Sequence, residues 1–218
     1  SSTTSQGWRS VTLSLEQKSS LASAVARFEG VLAVDVEAQA YLAGRGFSPA
    51  SAAMSHLGVV PADMPGYEPY AGRLAIPYIT PAGIVDVRFR ALHGEEPKYL
   101  GREGSGRHMY NVPDLQVDTD IIAVCEGEID TMTASTMCGV PCVGLPGANG
   151  WKSLWYRAFQ DYSKVVVLCD GDDAGRDFGR RIKRDVDAAV SVHLPDGEDV
   201  NSMYVKYGAD VIRERVYA

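Results

Sequence analysis

The stretch IIAVCEGEID, residues 121–130, joins a short apolar run to an acidic cluster. Its first five residues are continuous, apolar and rich in β-branched side chains, which is typical of a strand buried in a parallel sheet. A second apolar run, VVVLC at 165–169, ends in the same manner, in the acidic segment DGDDAG at 170–175. Together the two stretches predict an α/β fold built on a parallel sheet.

Acidic side chains follow both predicted strands at the point where each strand ends. The carboxyl ends of parallel strands meet at one edge of the sheet, where ligands bind, so we expect Glu126, Asp170 and Asp172 to converge there. Carboxylates that lie close together repel one another unless a hard divalent cation lies between them. The pattern therefore predicts a Mg²⁺ or Mn²⁺ site suited to phosphate chemistry. The alternative is that these residues only cap the helices that follow.

From residue 118 onward, strands and helices alternate, which indicates a parallel sheet with right-handed crossovers. The predicted strands are Ile121–Cys125, Val140–Gly144, Lys164–Cys169 and Ala189–His193, and the predicted helices follow Glu128, Trp151, Asp173 and Val200. After the Asp173 helix begins, a run of basic residues extends from Arg176 to Arg184, for which a solvated face is the expected role.

The amino-terminal half has a different pattern. Residues 1–20 are polar and without periodicity, and we expect a flexible tail there. Helical spacing runs from Leu21 to Phe47, and Ser48-Pro49 is a typical start for a further helix, ending at His56 or Leu57. Two antiparallel strands are predicted at Leu74–Thr80 and Ile84–Leu92.

The second of these strands alternates in character. Val85, Val87 and Phe89 should point to one face, whereas Asp86, Arg88 and Arg90 should point to the other. Residues 85–90 thus alternate between apolar and charged side chains. The result is a sheet with one charged face.

Composition limits the classes of function. The chain has 218 residues, of which 45% are hydrophobic and 22% charged, enough for one large or two small domains. A net charge of −7 argues against non-specific coating of nucleic acid. Basic and aromatic residues are nevertheless concentrated between Arg88 and Tyr110, as a polyanionic substrate would require.

The chain has no apolar stretch approaching the ~18 residues of a membrane span, and its polar start lacks the order of a signal peptide. We therefore expect a cytoplasmic protein with no membrane partner. Of the four cysteines, Cys138 and Cys142 form a close pair, but neither a second pair nor a nearby histidine completes a zinc site. No zinc and no disulfide framework is expected.

Three segments in sequence order resemble the TOPRIM domain of primases, topoisomerases and several nucleases: the acidic residues 126–130, the glycine turn 145–150 and the DGDDAG segment. The resemblance extends to the catalytic core of DnaG-type bacterial and phage primases. Tyr41–Phe47 is similar to their YLxxRG element, and LPDGEDVN at 194–201 is similar to their LPDGxDPD stretch, from which Val200 and Asn201 depart.

The resemblance implies a role for each matching residue. The catalytic residues would be Glu126, Asp170 and Asp172, which also bind metal together with Asp130 and Asp199. The residues that would bind nucleotide or template are Arg88, Arg90, Lys98 and Arg107. The structural glycines would be Gly127, Gly147 and Gly171. Asn201 stands where the family has a carboxylate, which could lower the charge available to a second metal.

The implied fold is a small mixed α+β amino-terminal subdomain, residues 21–117, followed by a Rossmann-like TOPRIM domain, residues 118–218. The implied activity is metal-dependent synthesis of short RNA primers from ribonucleoside triphosphates on a single-stranded DNA template. A replicative helicase or a separate zinc-binding domain would be the partner. Two alternatives stay open at this point: a TOPRIM metal-dependent nuclease, and a non-catalytic accessory that binds nucleotides or single-stranded DNA.

Overall fold

The computed structural model describes residues 13–146 and 150–218. Within them the chain forms two four-stranded sheets, one antiparallel and one parallel, with helices before and between them. This is the predicted arrangement of a mixed α+β part followed by an α/β part.

The first helix, α1 (Leu15–Leu32), begins earlier than expected. The Ser14 hydroxyl accepts a hydrogen bond from the Gln17 N–H at 3.1 Å, and the Gln17 side chain accepts one from the Ser14 N–H at 2.8 Å. This reciprocal capping box is a strong helix start. The prediction of a tail over residues 1–20 is therefore wrong for Leu15–Ser20, and the part of the tail in residues 1–12 lies outside the described residues.

Two short helices follow, α2 (Val36–Gly44) and α3 (Pro49–Met54). Ser48 caps α3 and Pro49 takes its first position, as predicted. The helix ends at Met54, short of the expected end, because His56 adopts a left-handed backbone conformation with φ of 52°.

The antiparallel sheet has the strand order β1 (Gly58–Val59), β2 (Leu74–Thr80), β3 (Gly83–Arg90) and β4 (Tyr99–Gly101). The predicted hairpin of β2 and β3 is confirmed, although β3 ends two residues earlier than expected.

One detail of β3 differs from the prediction. The pairing with β2 shifts between Tyr78 and Ile79, so Val85 is an extra residue in a β-bulge. Val85 therefore packs against a different core cluster from Val87 and Phe89. The bulge interrupts the period of two on which the prediction depended.

The parallel sheet has the order β6 (Cys142–Gly144), β5 (Ile121–Cys125), β7 (Lys164–Cys169) and β8 (Ala189–His193). Three of these strands have the predicted bounds, and β6 starts two residues later than predicted. Pro141, which lacks an N–H donor, and Gly139, with φ of 66°, precede it.

Helices cover both faces of the parallel sheet. Helix α4 (Glu128–Met132) continues through a π-helical turn, Thr133–Met137. Helix α5 is Asp173–Asp185, α6 is Val200–Tyr207 and α7 is Asp210–Tyr217. The helix predicted after Trp151 is a 3₁₀ segment, Ser153–Phe159. Phe178 and Ile182 of α5 pack on one face, whereas Met203 of α6 and Ile212 of α7 pack on the other.

All four cysteines are buried free thiols. The Sγ atoms of Cys125 and Cys142, on neighbouring strands, are 3.5 Å apart inside the sheet core. None of the helices in the described ranges is both long enough and apolar enough to cross a bilayer.

Candidate active site

A cleft of about 270 Å³ lies between the antiparallel sheet and the carboxyl edge of the parallel sheet. One side, called here the acidic wall, consists of residues that follow β5 and β7 or precede α6: Glu126, Asp130, Asp170 and Asp199. A second group of lining residues, called here the basic wall, comes from the end of α2, from β3 and from the start of β4: Arg45, Arg88, Arg90, Lys98 and Tyr99. The fold thus brings together residues that are up to 154 positions apart in sequence, from Arg45 to Asp199.

The carboxylates of the acidic wall influence one another electrostatically. Burial, followed by the negative charges of Asp130, Asp199, Glu126 and Asp172, raises the pKa of Asp170 to about 8. Burial and the charge of Asp199 raise the pKa of Asp130 to about 7. These shifts are the expected consequence of burying carboxylates and gathering them at one sheet edge.

The pKa of Glu126 is raised as well. Burial and the charge of Asp172 raise its pKa, and the charge of Arg181 opposes them. The predicted convergence of Glu126, Asp170 and Asp172 therefore has an electrostatic counterpart in the structure. Asp172 acts on both of its neighbours without itself lining the cleft.

Two of the predicted metal-binding residues also cap helices. An Asp172 oxygen accepts a hydrogen bond from the Gly175 N–H at 2.7 Å at the start of α5. An Asp199 oxygen accepts one from the Ser202 N–H at 2.6 Å at the start of α6. The capping interpretation thus holds for one oxygen of each, and the second oxygen of a carboxylate has separate acceptor capacity.

The donor set fits a hard divalent cation. All of its members are carboxylates at one sheet edge, and oxygen ligands of this kind are those that Mg²⁺ and Mn²⁺ prefer. Burial first, and then the neighbouring negative charges, raise the pKa values of Asp170 and Asp130, which is consistent with a site that lacks a compensating positive charge. In residues 13–146 and 150–218, no three acidic, histidine or cysteine side chains are arranged closely enough to hold one ion as they stand. The residue types and their location fit such a cation, and the coordination geometry is not preformed in this structure.

The basic wall is held in place by Glu128, an acid for which the sequence predicted no site role. Arg88 Nη1 donates to Glu128 Oε1 at 2.9 Å, and the Tyr78 hydroxyl donates to the same oxygen at 2.6 Å. Glu128 is 1% exposed. The alternation of β3 was a usable signal, because an arginine that faces inward needs an acidic partner.

Arg90 is held by two tyrosines. Its Nε donates to the Tyr41 hydroxyl at 2.7 Å and its Nη1 donates to the Tyr99 hydroxyl. The Arg90 guanidinium also lies 5.1 Å from the centre of the Tyr99 ring, and that of Arg45 lies 5.2 Å from the centre of the Tyr41 ring. Tyr41, Arg45 and Tyr99 were given no role from sequence, although Tyr41 and Arg45 belong to the YLxxRG-like element.

The predicted nucleotide-binding residues divide into two groups. Arg88, Arg90 and Lys98 line the cleft. Arg107 does not, and its backbone carbonyl accepts a hydrogen bond from Lys152 Nζ at 2.9 Å. Arg107 is therefore not part of the cleft lining to which the other three belong.

The predicted structural glycines also differ. A Cβ at Gly171 would lie 1.8 Å from the Pro195 carbonyl oxygen, so only glycine fits there. A Cβ at Gly127 would lie 3.4 Å from Asp130 Oδ2, an ordinary contact distance. Gly147 lies outside the described residues.

Comparison with known proteins places this arrangement in a family. Residues 123–204 match the Toprim-like family model. The chain is 37% identical over 152 residues to the Gene 57 protein of Mycobacterium phage D29, covering 67% of this chain and 99% of that protein. It is 25% identical over 166 residues to a DNA primase of Pseudomonas aeruginosa, covering 69% of this chain. The chain spans 25% of the length of that primase.

Solved structures show the same fold. The DnaG catalytic core superposes with a TM-score of 0.76 at 21% identity, covering 92% of this chain and 79% of that core. The RNA polymerase domain of Mycobacterium tuberculosis primase DnaG superposes with a TM-score of 0.77 at 22% identity, covering 94% and 84%. The chain therefore belongs to the family of the phage D29 Gene 57 protein, and its Toprim-like domain is part of a fold shared with DnaG primase catalytic cores.

Proposed function

We propose that this chain is a primase catalytic core that joins ribonucleoside triphosphates into short RNA primers on a single-stranded DNA template. One observation carries the proposal: an acidic wall suited to a divalent cation and a basic wall suited to phosphates line the same cleft. In primer synthesis a 3′-hydroxyl attacks the α-phosphate of an incoming triphosphate: a new P–O bond forms, the bond to the β-phosphate breaks, pyrophosphate leaves and the hydroxyl proton passes to water. Negative charge therefore develops on the attacking and leaving oxygens. A cation held by the acidic wall and the positively charged side chains of the basic wall would both stabilise that negative charge.

The acidic wall would hold the metal. Mg²⁺ or Mn²⁺ bound by Glu126, Asp170 and Asp172, with Asp130 and Asp199 beside them, would neutralise phosphate charge and activate the attacking hydroxyl. Glu126, Asp130, Asp170 and Asp199 are half-buried, whereas Asp172 is exposed. Water screens the attraction of the four half-buried carboxylates for a cation less than it would at an exposed site.

The basic wall would orient the anionic substrate. Arg88 and Arg90 are fixed by Glu128 and by the two tyrosines, so their guanidinium groups are positioned before substrate arrives. Lys98 is exposed at the cleft and can reach a phosphate as a point charge. In this proposal residues 21–117 position template and nucleotide, and residues 118–218 provide the metal site.

A single-stranded DNA template is supported by the solved relatives. One structure of the same fold is a DnaG primase catalytic domain bound to single-stranded DNA, and another is the M. tuberculosis domain in complex with double-stranded DNA. The net charge of −7 favours weak, salt-sensitive template binding by this chain. A helicase or a separate zinc-binding domain would then increase the residence time on DNA.

The test is synthesis of labelled RNA from NTPs on varied single-stranded DNA templates with MgCl₂ or MnCl₂. The wild type should give product and Asp170→Ala should not. Asp173→Ala is the matched control, because Asp173 is an exposed acid in the same segment, paired with Arg176. Metal-dependent shortening of labelled strands would instead support the nuclease, and binding without any product would support the accessory role.

A further inference from the structure

Asn201 is a buried amide that connects three segments of the chain behind the acidic wall. Its Nδ2 donates to the backbone carbonyl of Arg45 at 2.9 Å and to Thr133 Oγ1 at 3.0 Å. Its Oδ1 accepts from Arg45 Nη1 at 3.3 Å. Only 3% of the residue is exposed. Both N–H groups and the oxygen of the Asn201 amide therefore have a hydrogen-bond partner.

An amide is the side chain that these partners require. The Arg45 carbonyl can only accept, and the Thr133 hydroxyl spends its hydrogen on the carbonyl of Ile129 at 2.8 Å, so its oxygen is left to accept. A carboxylate at position 201 has no hydrogen for either partner. Asn201 brings no charge to a metal, and its side chain is also committed to Arg45 and Thr133.

The backbone of Asn201 contacts the acidic wall directly. Its N–H donates to Asp130 Oδ1 at 2.9 Å. The other carboxylate oxygen, Asp130 Oδ2, lies near Gly127, 3.4 Å from where a Cβ of that residue would be. One residue therefore orients an acid of the cleft through its main chain and a cation of the cleft through its side chain.

Arg45 occupies a position in which its orientation matters. Its guanidinium stacks on Tyr41, lines the cleft and lowers the pKa of Asp130. A long arginine side chain has several rotamers of similar energy, and a hydrogen bond from a buried neighbour selects one of them.

We propose that Asn201 is a positioning residue that holds the Arg45 guanidinium toward the acidic wall of the cleft. Its effect on RNA synthesis rests on the proposed function, whereas its effect on the Arg45 side chain does not. Because the backbone bond to Asp130 survives any substitution at position 201 except proline, side-chain variants isolate the Arg45 contact.

The test is a double-mutant cycle with Asn201→Ala, Arg45→Ala and the double variant. The Arg45 Nε–H signal, assigned in ¹⁵N-labelled protein by its loss in Arg45→Ala, should be sharp and slow to exchange in wild type and averaged in Asn201→Ala. RNA synthesis should fall roughly tenfold or more in each single variant and no further in the double variant. Multiplying defects with an unchanged Arg45 signal would overturn the proposal.

Thr133→Val is the matched control. Valine is similar in size to threonine but has no hydroxyl, so this variant removes one acceptor of Asn201 and leaves Arg45 unchanged. It should lower the melting temperature and leave the Arg45 signal intact. If Thr133→Val averages that signal as fully as Asn201→Ala does, the role of Asn201 is general packing and the proposal fails. Should wild type make no RNA, the proposed function fails and the Arg45 signal still decides this inference.

Asn201→Asp separates a positioning residue from a lost metal ligand. We expect a lower melting temperature and no gain in Mn²⁺ affinity, measured by calorimetry on the protein alone. Tighter Mn²⁺ binding together with faster RNA synthesis would show that position 201 is a ligand position and would overturn the proposal.

Discussion

Arg88 and Glu128, forty positions apart, form an ion pair between strand β3 and helix α4, with Nη1 and Oε1 at 2.9 Å. The Glu128 side chain is 1% exposed and that of Arg88 is 25% exposed. Glu128 stands in the first turn of α4, within the segment that supplies Glu126 and Asp130 to the acidic wall. The pair therefore ties the basic wall to the acidic wall.

Removing the acid from this pair should destabilise the protein. Glu128→Ala leaves the Tyr78 hydroxyl and a mostly buried guanidinium without their common acceptor, at a cost of about 2 to 4 kcal/mol in the free energy of unfolding. Urea denaturation measures this. Glu128→Gln keeps the shape and an acceptor for Tyr78, so it should cost less than Glu128→Ala. Equal stability of wild type and Glu128→Ala would contradict the assigned role.

The stability of the metal-free protein should fall as pH rises. Folding raises the pKa of Asp170 to about 8 and that of Asp130 to about 7, above the ordinary value of about 4. Between pH 4 and pH 8 the folded state therefore binds more protons than the unfolded state, and the free energy of unfolding decreases with pH. We expect a loss of roughly 1 to 3 kcal/mol across that window.

Melting temperatures in EDTA at pH 5 and pH 8 measure this effect. Asp170→Asn should have a smaller loss than wild type, because an amide carries no charge at either pH. MgCl₂ should raise the melting temperature of wild type more at pH 8 than at pH 5, since the metal and protons compete for the same oxygens. A melting temperature of Asp170→Asn that responds to MgCl₂ as strongly as that of wild type would count against the metal site.

Local patterns in the sequence predicted the parallel sheet and its acidic edge closely. Strands such as Ile121–Cys125 and Lys164–Cys169 are short, continuous apolar runs rich in β-branched residues, and their length and composition favour a buried strand over a buried helix. Topology places the carboxylates that follow these strands. Glu126 and Asp170 line the cleft, whereas Asp172, which was expected to converge with them, does not.

Contacts between distant segments could not be predicted in that way. The bonds of Asn201 to Arg45 span 156 positions, and no local period encodes them. Charge runs are also ambiguous in sequence. On α5, Arg176 pairs with Asp173 and Arg180 pairs with Asp177, so this basic run is largely neutralised by its own helix.

Asp172 allows its capping role to be separated from a metal-binding role. Asparagine is as good an N-cap as aspartate, so Asp172→Asn should keep the bond to the Gly175 N–H and the melting temperature. The lost charge should nevertheless reduce RNA synthesis by a factor on the order of 100. Asp172→Ala should lose both the cap hydrogen bond and RNA synthesis, and its free energy of unfolding should fall by about 1 kcal/mol. Full activity in Asp172→Asn would show that Asp172 is a cap and nothing more.

Gly171 tests how tightly the DGDDAG turn is packed against the segment that leads to α6. The Gly171 N–H donates to the Glu198 carbonyl at 2.8 Å, and the Gly171 carbonyl accepts from the Gly197 N–H at 3.0 Å. A methyl group at this position would overlap the Pro195 carbonyl oxygen, whose distance from the added Cβ would be 1.8 Å. Because the obstacle is backbone, it cannot swing away as a side chain would.

Gly171→Ala should therefore separate Asp170 from Asp199 as the two segments move apart, and it should cost about 3 kcal/mol or more in the free energy of unfolding. Gly30→Ala is the matched control: Gly30 lies on the exposed side of α1 with no atom within 4 Å of an added Cβ. That variant should be more stable than wild type by about 0.5 to 1 kcal/mol, because alanine favours the helix. Thermal and urea unfolding of both variants would measure the contrast, and a Gly171→Ala protein as stable as Gly30→Ala would refute the close packing of the two segments.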